Sequence, residues 1–328
     1  MEIQLTNMTW DYSNPYDYMD QIQTGLQPLI ITCAISGGVQ GKEANSALPE
    51  KPEELAAEAA AAYNAGASII HVHMRDPENW ALNTMRLDVS REVNARIREA
   101  CPDVIINNTT GGGPQTTMQD RFDALDALPE MASLNLGPDM SRFVIGKRDA
   151  PLEHPHEAMT FDQCAPYTYG MLEDLAGAMK THGVKPEMET YHPGQYWVGR
   201  VLREAGLLEP PYVHQFVMGY QTSSFPTIPN LCALVSELPK DALFFTSGIG
   251  PFQLPMTTAS IIMGGHARVG LEDNVYYSRG RKLRGNGEAV DRAVRIANEM
   301  NRPVASPQEA RKMLGLSGSP RAFEKSMG

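Results

Sequence analysis

Ala67-Ser68-Ile69-Ile70-His71-Val72-His73-Met74-Arg75-Asp76 is an apolar run that ends in two histidines one residue apart. A short apolar run of this kind reads as a buried β-strand. Side chains alternate faces along a strand, so His71 and His73 point the same way, about 7 Å apart along it. Such a pair can grip one metal ion. Two packed or capping histidines at a strand end are the competing reading, and the pair alone does not choose.

Working outward from this stretch, short β-like runs alternate with longer helical patterns, the signature of a parallel βα architecture. The spacing predicts strands over 29–34, 67–76, 104–108, 131–136, 186–191, 213–218, 243–246 and 266–271. Helices are predicted over 52–65, 90–100, 117–128, 162–180, 194–205, 229–238, 254–263 and 288–300. Eight such units close most economically into a single (β/α)8 TIM barrel spanning 29–314, with an N-terminal arm over 1–28 and a C-terminal tail over 315–328. An open doubly wound sheet would carry G-x-G-x-x-G in its first βα turn, and Ser36-Gly37-Gly38-Val39-Gln40-Gly41 misses that pattern. The connection 138–161, with His154 and His156 between prolines, reads as a surface excursion or subunit contact. Trp10, Tyr12, Tyr16 and Tyr18 in the arm suggest that it packs on a neighbour.

The 328 residues are 42% hydrophobic and 20% charged, enough to bury a barrel-sized core. A net charge of -11 argues against nucleic acid or an anionic membrane surface as partner. A small molecule is the expected ligand. Cys33, Cys101, Cys164 and Cys232 form no C-x-x-C, so neither a disulfide framework nor a cysteine metal site is indicated. Residues 1–20 lack a basic, then apolar, leader pattern, and no run of eighteen apolar residues occurs. The expected setting is the cytoplasm.

Active sites of such barrels lie at the C-terminal ends of the strands. Those ends are polar here: Ser36 and Gly37; His71, His73 and Arg75; Asn107 to Thr110 running into Gly111-Gly112-Gly113; Ser133 and Asn135; Glu187, Glu189, Tyr191 and His192. The eighth strand runs into Glu272-Asp273-Asn274 and neighbours the first strand, so Glu272 is expected to face the histidines across the mouth. Two imidazoles and one carboxylate leave positions open for water or substrate, as at catalytic Zn²⁺ and at non-haem Fe²⁺. Nothing in the sequence calls for an oxidation cofactor, which favours zinc. The glycine run offers backbone N–H groups to a carboxylate or phosphate, although a tight turn with positive φ explains it equally well. Arg268 has the inward parity of the strand and needs a buried acid, for which Asp273 is the candidate; the pairing is expected to lower the Asp273 pKa. His266 and His214 begin their strands and are read as structural.

Five segments together resemble the β-keto acid cleavage enzyme family: I-T-C-A-I-S-G at 31–37, G-A-S-I-I-H-V-H-M-R-D at 66–76, T-T-G-G at 109–112, A-S-L-N at 132–135 and G-G-H-A-R-V-G-L-E-D-N at 264–274. The resemblance runs from about residue 29 to 314, leaving out the arm and the 138–161 connection. It implies a zinc-dependent (β/α)8 enzyme that exchanges a β-keto acid with acetyl-CoA to give acetoacetate and a new acyl-CoA. Carried over by motif, His71, His73 and Glu272 would bind the metal. Thr109, Gly112, Ser133 and Asn135 would hold the substrate's carboxylate and keto groups, and Arg268 with Asp273 would handle the proton. The resemblance also implies a homo-oligomer, a tetramer.

One departure concerns substrate choice. Where the family member that acts on an amino-substituted keto acid has a glutamate for the ammonium group, this chain has Val39. An apolar residue offers a cation no partner, so a neutral or apolar β-keto acid is expected; a quaternary ammonium held by an aromatic cage is the exception left open. A rival reading is a metal-dependent, amidohydrolase-like hydrolase on the same barrel. That pattern needs H-x-H on the first strand and a histidine at the top of the sixth, whereas this chain has it on the second and His214 at the strand start. A catalytically dead scaffold is the other rival. Arg279, Arg281, Lys282 and Arg284 form a basic cluster that suits CoA phosphates or simply solvent.

Overall fold

Five of the eight barrel strands are built on the same two-residue alternation, apolar at the lower inward position and polar at the next. Ile30 is followed inward by Thr32, Ile69 by His71, Ile105 by Asn107, Met131 by Ser133 and Val213 by Gln215, all buried. The lower positions form one dry cluster with Leu243 and Phe245. The intervening residues, among them Ile31, Cys33, Ile70, Val72 and Ile106, face outward and pack on helices. A strand with both faces buried reads as a near-continuous apolar run, which is why the pattern was visible in the sequence.

The computed structural model describes residues 15–113 and 115–323. Eight parallel strands close a barrel: β1 Ile31–Ala34, β2 Ile69–Val72, β3 Ile105–Asn108, β4 Met131–Asn135, β5 Lys185–Thr190, β6 Tyr212–Met218, β7 Ala242–Gly248 and β8 His266–Val269. Each pairs with its sequence neighbour, and β8 closes on β1 in the register Thr32 to Arg268. The helices are α1 Pro15–Thr24, α2 Pro52–Ala65, α3 Leu87–Ala100, α4 Met118–Asp126, α5 Tyr169–His182, α6 Tyr196–Glu204, α7 Ile228–Ser236, α8 Gln253–Ile262, α9 Asn286–Glu299 and α10 Pro307–Leu314. Their ends follow local chemistry. Pro52 opens α2 and Gly66 closes it in the left-handed region, while Thr117 caps α4 by accepting from the Asp120 N–H.

The TIM barrel stands as expected, with four local corrections. The 67–76 stretch is not one strand: β2 ends at Val72, and Met74–Asp76 leaves the barrel to form a hairpin with Asn79–Thr84. The 138–161 excursion is ordered as a second hairpin, Asp139–Ile145 against Met159–Ala165, so the helix predicted to begin at residue 162 starts at Tyr169. The unpredicted α10 lies across the bottom of the barrel, where Ala310, Met313 and Leu314 seal the apolar layer. Arg311 on that helix donates to the Asp103 and Val104 carbonyls. Finally, Arg321 of the tail bonds to Glu130 and to the His182 and Gly183 carbonyls, so this part of the tail lies along the barrel.

Trp10 and Tyr12 lie outside the described residues, and α1, which carries Tyr16 and Tyr18, has no buried residue. No helix among the described residues is long and apolar enough to cross a membrane.

Candidate active site at the barrel mouth

The inward parity of β2 carries His71 into the barrel, and the chain's exit after Val72 leaves His73 at the rim. Their rings stand 5.3 Å apart, edge to face. Glu272 comes down to them from the loop after β8. Its Oε2 is 3.7 Å from His71 Nε2, and its Oε1 is 3.5 Å from His73 Nε2. Gly37 makes that approach possible: it adopts φ of +71°, and a Cβ there would meet the Glu272 Cγ at 2.8 Å.

The three donors fit a metal ion. One ligand atom from each lies within 4.8 Å of the others. Four ligands about 2.0–2.1 Å from one ion would be about 3.3 Å apart in a tetrahedron, close to the two spacings here. Burial lowers the His71 pKa to about 3, so its ring is the neutral imidazole that a metal requires. Burial would raise the Glu272 carboxyl, but Arg268, His73 and His71 hold it well below its ordinary value. Its Oε2 is a buried atom with no hydrogen-bond partner, as expected of a ligand oxygen.

Beside the cluster, Arg268 donates from Nε to Asp273 Oδ2 and from Nη2 to Asp273 Oδ1, both at 3.0 Å, and also to Glu272. Its Nη1 lies 3.5 Å from Glu189 Oε1. Burial alone would lower the guanidinium's pKa; Asp273, Glu272 and Glu189 instead hold it well above the ordinary value. For Asp273 the outcome is opposite to the expected one. Burial pushes its carboxyl up and outweighs the downward pull of Arg268, with Glu272 adding repulsion, to about 6. That suits a group that must take and return a proton near neutrality.

The substrate-binding candidates line the neighbouring wall. Ser133 accepts from the Thr110 N–H at 3.0 Å, and Thr109 Oγ1 accepts from the Gly111 N–H at 3.1 Å. Asn135 donates to the Tyr191 hydroxyl at 3.1 Å, while its Oδ1 is buried without a partner. The glycines here have no positive φ. Contact constrains two of them: a Cβ on Gly112 would lie 2.2 Å from Thr116 Oγ1, and one on Gly113 2.1 Å from the end of the Gln163 side chain, whereas one on Gly111 would have ordinary room. Arg121, fully buried, donates to the Thr110 and Gly112 carbonyls and holds the run in place. Val39, half-buried, follows Gly38, whose Cβ position is 3.1 Å from His73 Nδ1.

Other candidates stand apart from the mouth. His266 accepts from the Ile30 N–H at the barrel floor, and His214 faces the helices against Thr190 and Tyr196. The hydrolase arrangement is therefore not assembled. Arg281 and Arg284 share Glu288, beyond the mouth residues, so the basic cluster is partly paired. Sequence reading places Glu189 and Tyr191 at the mouth but gives them no role, although the alternation Glu187, Glu189, Tyr191 puts three polar groups on one inward face. Tyr191 donates to Glu189 and so joins Asn135 to the Arg268 network.

A closed βα barrel with a histidine–histidine–carboxylate cluster at its C-terminal mouth, of the kind that could hold a metal ion, has the architecture of a TIM-barrel enzyme. A model of the β-keto acid cleavage enzymes matches residues 28–316, and the chain belongs to that family. It is 36% identical over 294 residues to the 3-keto-5-aminohexanoate cleavage enzyme of Acetoanaerobium sticklandii, covering 89% of this chain and 100% of that one. It is 31% identical over 309 residues to the 3-dehydrocarnitine:acetyl-CoA trimethylamine transferase of Rhizobium meliloti, covering 88% and 97%. Among solved structures, apo ObcA shares the fold with a TM-score of 0.66 at 18% identity. That match covers 82% of this chain and 65% of that one.

Proposed function

We propose that the protein is a zinc-dependent β-keto acid cleavage enzyme that exchanges a β-keto acid with acetyl-CoA, giving acetoacetate and the acyl-CoA of the remaining chain. The observation that carries this reading is the meeting, in one buried mouth, of the His71–His73–Glu272 cluster with the Arg268–Asp273 pair. Relatives named as acetyl-CoA transferases or keto acid cleavage enzymes, including a 3,5-dioxohexanoate:acetyl-CoA acetone transferase and a 3-oxoadipate:acetyl-CoA acetyltransferase, support the reaction class.

In this reading His71, His73 and Glu272 would hold a zinc ion, which would supply Lewis acidity toward the substrate's keto group. Asp273 takes the proton from the carbon between keto and carboxyl groups, and Arg268 fixes its orientation. Thr109, Ser133, Asn135 and the backbone at Gly112 grip the carboxylate, setting the scissile bond against Asp273. The resulting carbanion attacks the thioester carbonyl of acetyl-CoA, forming the new carbon–carbon bond and releasing CoA thiolate. The thiolate adds to the original keto carbon, whose bond to the central carbon breaks in the retro-Claisen sense, leaving the new acyl-CoA and the acetoacetate carbanion, to which Asp273 returns the proton. Val39 borders the distal end of the acid, which favours a neutral or apolar chain.

The same reading includes a homo-oligomer working in the cytoplasm. An α1 helix with no buried residue of its own supports a neighbouring subunit. The decisive experiment incubates the protein, after metal analysis, with acetyl-CoA and a panel of β-keto acids of varied chain end, detecting acetoacetate and CoA thioesters. Acetyl-CoA-dependent turnover is expected with neutral acids; hydrolysis without CoA would overturn the assignment.

A further inference from the structure

The loop after β1 is held from two sides by buried arginines that the chemistry does not use. Arg75 donates from Nη2 to the carbonyls of Gly37, at 2.9 Å, and Gln40, at 2.6 Å. Those bonds bracket Val39. Immediately beyond, the Gly41 N–H donates to Glu43 Oε1 at 2.6 Å and the Lys42 N–H to Glu50 Oε1 at 2.9 Å. Both carboxylates are then gripped by Arg148: Nη1 lies 2.9 Å from Glu43 Oε2 and 2.7 Å from Glu50 Oε1, and Nη2 lies 2.9 Å from Glu50 Oε2. The Arg148, Glu43 and Glu50 side chains are 1%, 4% and 3% exposed.

Arg148 belongs to the excursion hairpin, 98 residues along the chain from Glu50. Its backbone pairs with His156, and its Nε donates to the Glu153 carbonyl. The guanidinium is therefore fixed before it meets the acids. Gly41 leaves room for the closure: a Cβ there would lie 2.5 Å from Glu50 Oε1 and 3.2 Å from Arg148 Nη1. A bidentate, desolvated guanidinium–carboxylate contact is directional and stiff, unlike a surface ion pair. The loop it immobilises presses Gly37 on Glu272 and Gly38 on His73.

We infer that Arg148 is a positioning residue for substrate choice: through Glu43 and Glu50 it locks the Val39 loop, so that the hairpin sets the wall against which the keto acid's distal end is measured. This inference rests on the proposed β-keto acid reading for its substrate, whereas the lock itself is a property of the fold. Loss of the lock should let the wall yield, weakening binding of the preferred acid and blurring discrimination. The metal ligands, held by β2 and by the β8 loop, should keep their ion.

The test uses the full chain with Arg148→Met and with the triple variant Arg148→Met, Glu43→Gln, Glu50→Gln, which leaves none of the three positions charged. The single variant strands two buried carboxylates and is at risk of not folding; the triple variant decides in that event. The control removes the exposed Lys51–Glu153 pair, which joins the same two segments at 2.9 Å, by alanine at both positions. Expected for the folded lock variant are wild-type metal content and faster hydrogen exchange over 37–45. KM for the preferred acid should rise about ten-fold with kcat changed less than about three-fold, and preference over other chain ends should fall. The control should match wild type. Unchanged exchange over 37–45 in the folded triple variant would overturn the lock. Faster exchange with unaltered KM and preference would overturn its role in substrate choice. Absence of any acetyl-CoA-dependent cleavage in the wild type would sink the proposed function instead, and the exchange measurement would still judge the lock.

Discussion

Arg268 and Asp273 are five residues apart in sequence and meet inside the barrel through two nitrogen–oxygen contacts of 3.0 Å. The arginine leaves β8 and the acid returns over it from the loop, so the pair is oriented by backbone that β1 and β8 already fix. Asp273→Asn keeps this shape and removes the proposed base. Turnover should fall by about 10²–10⁴-fold with metal content unchanged, measured by kcat and elemental analysis of the same sample. Near-normal turnover in that variant would move the base elsewhere.

His73 stands at the rim and His71 within the barrel, with Glu272 as their shared partner. His73→Ala should lower bound zinc from one equivalent to a small fraction and abolish acetyl-CoA-dependent acetoacetate formation. Dialysis of the wild type against a chelator should do the same, and added zinc should restore activity. A chelated protein that keeps full turnover would remove the metal from the reaction.

Val39 can be tested by gain rather than loss. Val39→Glu puts a carboxylate beside the distal end of the substrate and should raise kcat/KM for an amino-terminated β-keto acid by about ten-fold relative to a methyl-terminated one. A wild type that already prefers the amine would defeat the argument.

Glu187 offers a pH prediction. Burial raises its pKa to about 7, and neither carboxylate oxygen has a hydrogen-bond partner among the described residues. The folded chain therefore holds a proton that the unfolded chain gives up near 4.5. Stability from this group is full below about pH 4.5, declines as pH rises to about 7, and is level above that. The interval corresponds to roughly 3 kcal/mol. Glu187→Gln imitates the protonated form at every pH, so denaturant unfolding should show it gaining on wild type between pH 5 and pH 8. Parallel stability curves would refute the assignment.

The barrel and its mouth were legible because both rest on alternation. The inward sequence Ile69, His71, His73 and the run Arg268 to Asp273 are short, local and set by the two-residue period of a strand. What escaped has a different origin. The contact of Arg148 with Glu50 joins segments 98 residues apart, and no periodicity reports it. The excursion hairpin was hidden because its strands are half exposed and break the pattern, with Asp139 and Ser141 buried while Met140 and Val144 face out. The direction of the Asp273 shift was missed because a sequence reveals the partner charge but not the depth of burial, and here burial prevails. The metal cluster, in contrast, needed only the closing of β8 on β1.

The floor of the barrel has a consequence for synthesis. Ile30, Ile69, Ile105, Met131, Val213, Leu243 and Phe245 converge on one layer, and α10 covers it with Ala310, Met313 and Leu314. A growing chain that has already released all eight strands still lacks this lid, and its lowest apolar layer stays wet until Leu314 leaves the ribosome. Half-finished chains are thus the aggregation-prone species. Burial of that layer is completed by docking of α10, not by closure of β8 on β1 alone.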